Sequence, residues 1–172
     1  MKLSVKETAV FGMLGAMMFA SKMVTELLPN IHLIGVFIVA ITLVFRAKAL
    51  YPLYVFILIT GFYAGFAAWW LPYLYIWAVL WGFAMLIPQK IPKKTLPIVC
   101  MAVCSLHGFL YGTLYAPAQA LLFGLDFKGM ITWIIAGFPF DLIHGVSNFF
   151  CGMLIVPIAA VLKTANRYIS KT

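Results

Sequence analysis

Pro88-Gln89-Lys90-Ile91-Pro92-Lys93-Lys94 stands between two long apolar runs, Leu71 to Ile87 and Leu96 to Tyr115. Three lysines and two prolines in seven residues cannot stay in lipid. Each flanking run can, because a bilayer core of ~30 Å takes about 20 apolar residues, with a range of roughly 17–25. Four further runs are marked off by Pro29-Asn30, Arg46-Ala47-Lys48, Ala116-Pro117 and Pro139. The pattern predicts six spans at about 7–28, 31–45, 49–66, 71–87, 96–115 and 139–163. Segment 116–138, with Gly124-Leu125-Asp126-Phe127-Lys128-Gly129 at its centre, is expected to be part loop and part interfacial helix. The runs are continuous rather than alternating, and too long for strands of about 10 residues, so a β-barrel is excluded.

Composition agrees. Of 172 residues, 65% are hydrophobic and only 9% charged, against about 25% charged in a soluble domain. The mean hydropathy is +1.08. A soluble enzyme, a disordered chain and a disulfide-rich secreted domain are ruled out. The expected fold class is an all-α integral membrane protein, a single domain over residues 1–172 built as a six-helix bundle. No small-residue cleavage site follows the first run, so it is read as a retained helix. Cys100, Cys104 and Cys151 form no CxxC and read as small buried hydrophobes.

The net charge of +8 would suggest nucleic acid in a soluble protein. Here the bases sit at the ends of apolar runs and report topology instead. With the N-terminus in the cytoplasm, ten of the 12 fall inside: Lys2, Lys6, Arg46, Lys48, Lys90, Lys93, Lys94, Lys163, Arg167 and Lys171. Only Lys22 and Lys128 fall outside. Both termini are therefore expected in the cytoplasm.

Ionisable groups inside apolar helices are costly and are functional suspects. Lys22 and Glu26 stand at i, i+4 near the end of the first span, where a local ion pair is the plainer reading. Asp141, His144 and Asn148, at i, i+3, i+7, share one face of the sixth span and must look at protein or a water-filled cavity. Asp141, two residues after Pro139, would lie in a first helical turn, where an acid is favoured whatever the function. His107 falls near the middle of the fifth span, as a ligand group or an interhelical donor. Trp70, Tyr73, Trp77 and Trp81 share one side of the fourth span, as an interfacial belt or as a wall for a flat ligand. Gly12, Ala16 and Ala20 form a small-residue ridge that lets another helix approach closely; Gly61/Gly65 and Gly108/Gly112 repeat the spacing. No phosphate-cradling loop, HExxH or GxSxG is present, and no inverted repeat points to a self-sufficient transporter.

Six spans, a small basic chain, the Ala16-Met17-Met18-Phe19-Ala20 segment and the loop Leu28-Pro29-Asn30-Ile31-His32-Leu33 resemble the substrate-binding S components of energy-coupling-factor (ECF) vitamin transporters of the bacterial plasma membrane. The resemblance implies high-affinity capture of a vitamin-like micronutrient. The pocket would lie in the outer halves of the fourth to sixth spans, under a lid that contains Asn30 and His32 and is flanked by Glu26. It implies docking through Gly12, Ala16 and Ala20 onto a coupling subunit that works with two ABC-type ATPases. The chain itself would hold no cofactor or metal and perform no bond chemistry, ATP being used by the partners. With Lys22 and Lys128 as the only outer cations, a neutral or weakly charged planar heterocycle is expected. Two alternatives stay open: an intramembrane enzyme using Asp141, His144 and His107, and an assembly subunit without a ligand.

Overall fold

The computed structural model describes residues 3–28 and 30–170, side chains up to 167. Pro29, Lys2 and Lys171, which figure in the expectations above, lie outside the described residues. Seven α-helices and no strand are found among the described residues: α1 (Val5–Thr25), α2 (Ile34–Phe45), α3 (Leu50–Ala64), α4 (Tyr73–Met85), α5 (Leu96–Phe123), α6 (Phe127–Cys151) and α7 (Ile155–Ser170). Short 3-10 turns, Arg46–Ala49, Ala68–Trp70 and Gly152–Leu154, precede α3, α4 and α7. Among the described residues five stretches are long and apolar enough to cross a membrane: Val5–Thr25, Ile34–Ala64, Ala68–Met85, Leu96–Phe123 and Phe127–Arg167. The chain is a multi-pass helical membrane protein.

Local chemistry sets the ends. Ser4 and Glu7 form a reciprocal capping box at the start of α1. The stretch Ile34–Ala64 reverses at Arg46, whose φ of 52° breaks the helix. Phe45 and Tyr51 on either side of the turn both pack against Phe11 of α1. From there α3 runs beside α1 in the same direction, with Gly15 at Val55 and Phe19 at Tyr63. The strained Arg46 is held from both sides. Its guanidinium donates to the carbonyls of Met85 and Ile87, and its own carbonyl accepts the Trp81 indole N–H. An ion pair between Glu7 and Lys48 fixes the same turn to α1.

α2 is buried on nearly every side, from Ile34 to Thr42, and packs against α4 and α7. A helix apolar all round belongs in the middle. Its 12 residues span about 18 Å, too short for a lipid-facing crossing.

Segment 116–138, expected to be part loop and part interfacial helix, is helical except for a short turn at 124–126. α5 continues through Pro117 to Phe123, and α6 starts at Phe127 and continues through Pro139. The turn between them is Gly124, left-handed at φ 68°, followed by Asp126, whose side chain accepts the Gly129 N–H at 2.7 Å. Each proline removes one backbone donor, but interhelical packing compensates, as it does in membrane helices generally. Lipid is as apolar as leucine, so such packing rests on close approach. The two helices supply it: a Cβ on Gly108 would lie 2.8 Å from the Gly145 Cα. The sixth predicted span is thus α6 plus α7, beginning 12 residues earlier (127 rather than 139) than expected. Asp141 is deep in α6, not in a first turn, so the dipole at a helix start does not account for it.

Candidate functional site

α4, α5 and α6 bring rings together around Trp77. The His32 ring lies 5.6 Å from Trp77 and 4.6 Å from His144; His107 lies 5.5 Å from Trp77. Tyr111 completes the group at 5.7 Å from Trp77 and 5.0 Å from His144. Tyr73, one turn above Trp77 on α4, is 5.7 Å from it. α2 starts late, at Ile34, so the preceding loop carries His32 inward to these rings.

Asn148 lies one turn further along the same face of α6 as His144, and its amide nitrogen faces the Cys104 carbonyl at 3.4 Å. Asp141, His144, Gly145 and Asn148 are all buried, so the α6 stripe faces the bundle. The Asp141 carboxylate accepts the Gly112 N–H at 3.0 and 3.1 Å. Ser147 ties the entry loop down by donating to the Asn30 carbonyl at 2.9 Å; Asn30 itself takes a positive φ of 60°, which asparagine tolerates.

Within this cluster five buried polar atoms have no hydrogen-bond partner among the described residues: His32 Nδ1, Trp77 Nε1, His107 Nδ1, His144 Nε2 and Asn148 Oδ1. Each such atom costs about 1–3 kcal/mol. Their chemistry is partly assignable. The His107 Nε2 is 3.0 Å from the Ile76 carbonyl, which only accepts, so Nε2 carries hydrogen and Nδ1 of the neutral ring is an acceptor. Asn148 Oδ1 is a second acceptor and the Trp77 indole a donor. Beside the cluster opens a cavity of about 370 Å³ walled by Asn30, Tyr111, Tyr115, Trp133, Asp141 and His144. Tyr115 and Trp133 stack on each other in its wall, with ring centroids 5.8 Å apart. His32 sits outside the helices, and its burial, with His107 nearby, pushes its imidazole down to about 4.

Of the residues expected at a site, the structure gathers His32, Tyr73, Trp77, His107, His144 and Asn148, with Asn30 and Asp141 on the cavity wall. Two stand apart. Glu26 is exposed at the end of α1, 3.8 Å from Lys22, in the local ion pair. Trp70 is in the 3-10 turn rather than in α4, and its indole donates to the Ile57 carbonyl at 2.9 Å. With Trp81 bonded to Arg46, the tryptophan stripe is mostly structural, and only Trp77 reaches the cluster. Tyr111, Tyr115 and Trp133 are not among the expected site residues, and Gly112 is expected only as part of a small-residue ridge. His107, Tyr111 and Tyr115 follow i, i+4, i+8 spacing on one helix face, which was a readable signal. Among the described residues no three His, Cys, Asp or Glu are placed to hold a metal.

On α1, Phe11, Leu14, Gly15 and Met18 turn inward, whereas Ala16 and Ala20 are exposed and Gly12 has open space above it. The close approach to α3 is made by Gly15.

This geometry defines an all-helical, multi-pass membrane protein with a buried cluster of imidazole, indole and phenol rings opening to a cavity. No family model, curated protein or solved structure matches the chain.

Proposed function

We propose that the chain is the substrate-binding membrane subunit of an ECF-type importer. The observation that carries this reading is the set of unpaired polar atoms inside the ring cluster. A ligand that pairs with them recovers their desolvation cost. The flat faces of Trp77, Tyr111 and the histidines suit a planar heterocycle. The two acceptors and one donor suit ring N–H or amino groups beside a carbonyl or ring nitrogen. The exposed small-residue face of α1 fits docking on a coupling subunit, which two ABC-type ATPases would energise. No bond is made or broken in the chain itself.

In this reading the chain crosses the plasma membrane six times, with the turn Arg46–Ala49 and both termini in the cytoplasm. Native mass spectrometry of the detergent-purified protein tests the assignment. A small molecule retained at one per chain and released on denaturation is expected. A protein that carries none, and takes none up from a cell extract, contradicts it.

A further inference from the structure

A second cavity, of about 560 Å³, lies at the opposite, basic end of the bundle, between the end of α2, the loop after α4 and the face of α7. Arg46, Lys93 and Lys163 line it, with Gln89. Leu96, at the N-terminus of the 28-residue α5, lines it too and adds the positive end of a helix dipole.

Among the described residues these charges have no acidic counterpart. The chain has only four Asp and Glu, and all are engaged elsewhere: Glu7 with Lys48, Glu26 with Lys22, Asp126 as the cap of α6 and Asp141 on Gly112. The rest of the wall is apolar, including Leu43 and Val156. Cations beside an apolar wall match an amphiphile better than a small inorganic anion, which would be gripped by polar groups throughout.

The geometry points to a binding site for the phosphodiester headgroup of an anionic phospholipid, with Lys93 and Lys163 as its cationic contacts. Arg46 contributes field but is committed to the α4 carbonyls. The site is separate from the ring cluster and does not depend on what that cluster binds.

The test uses the full chain in zwitterionic detergent, with phosphatidylglycerol, phosphatidylcholine or inorganic phosphate added. Lipid retention is read by native mass spectrometry and stability by thermal unfolding. Phosphatidylglycerol should be retained and should raise the melting temperature; phosphatidylcholine should do neither. Lys93→Gln and Lys163→Gln should each weaken retention about 5-fold, leaving the lipid-free melting temperature unchanged. Equal retention of both lipids, or no effect of the double variant, overturns the proposal. Millimolar phosphate that reproduces the stabilisation and displaces the lipid also overturns it, in favour of a soluble anion.

Discussion

The backbone N–H of Gly112 in α5 points at the carboxylate of Asp141 in α6, 3.0 and 3.1 Å from its two oxygens. The contact exists because residue 112 has no side chain. A Cβ there would run into the carboxylate. Gly112 therefore makes room for an acid on the cavity wall, while the backbone approach of Gly108 to Gly145 sets the spacing of the two helices.

Gly112→Ala should displace the Asp141 carboxylate from the N–H, destabilise the protein by about 1–3 kcal/mol and weaken ligand binding. Asp141→Asn keeps one acceptor oxygen for the N–H, replaces the other by an NH2 donor and removes the charge. Its melting temperature should stay near that of the parent while affinity falls roughly 10- to 150-fold, the equivalent of one charged hydrogen bond. Calorimetric titration and thermal unfolding of both variants check this.

Acidification gives a signed expectation for His32. Its folded-state value of about 4 lies below the ordinary 6.5, so the unfolded chain takes up the proton first. Its contribution to stability is complete above pH 6.5 and is lost as the pH falls towards 4, by up to about 3 kcal/mol. The positive charges that His107 and Lys22 can carry act in the same sense. Unfolding followed between pH 7.5 and 4.5 should show a shallower loss in His32→Gln than in the parent; equal slopes would remove His32 from the buried cluster.

The outward face of α1 carries the partner reading. Ala16→Trp or Ala20→Trp should abolish transport and co-purification with the coupling subunit, with ligand affinity unchanged. Parallel loss of affinity would mean that the ridge serves internal packing.

Sidedness is checked by labelling single cysteines in a background lacking Cys100, Cys104 and Cys151. Pro92→Cys should be shielded from an impermeant reagent added outside intact cells, and Lys128→Cys should react. The reverse pattern would invert the orientation and every statement about outer and inner ends.

Much of the fold was legible because lipid leaves helices few options. The apolar runs located the membrane stretches, and the bases marked one end: Arg46, Lys93 and Lys163 do converge. The errors came from reading Pro117 as the end of one span and Pro139 as the start of the next. In water an interior proline ends a helix, but in a packed membrane pair it need not. The true boundary, Gly124 with Asp126, was visible as a left-handed cap followed by an N-cap. The α6 stripe was legible because polar residues at helical spacing have one tolerable direction in lipid. The α4 tryptophans were not, since spacing cannot distinguish a ring facing a ligand from one whose N–H holds a carbonyl in place. Tyr111 escaped because a tyrosine in an apolar run looks like packing until His107 and His144 are seen on either side of it.

The most direct measurement is ligand titration and thermal unfolding of His144→Phe beside the parent protein. Phenylalanine keeps a ring of similar size and removes the unpaired Nε2. If the polar atoms of the cluster exist to hold a ligand, this variant should lose binding by at least about 10-fold. Its ligand-free melting temperature should be equal to or above that of the parent, because an unsatisfied buried group has been taken away. Unchanged affinity, or lower stability of the ligand-free protein with binding intact, would make the cluster a packing core and contradict the assignment.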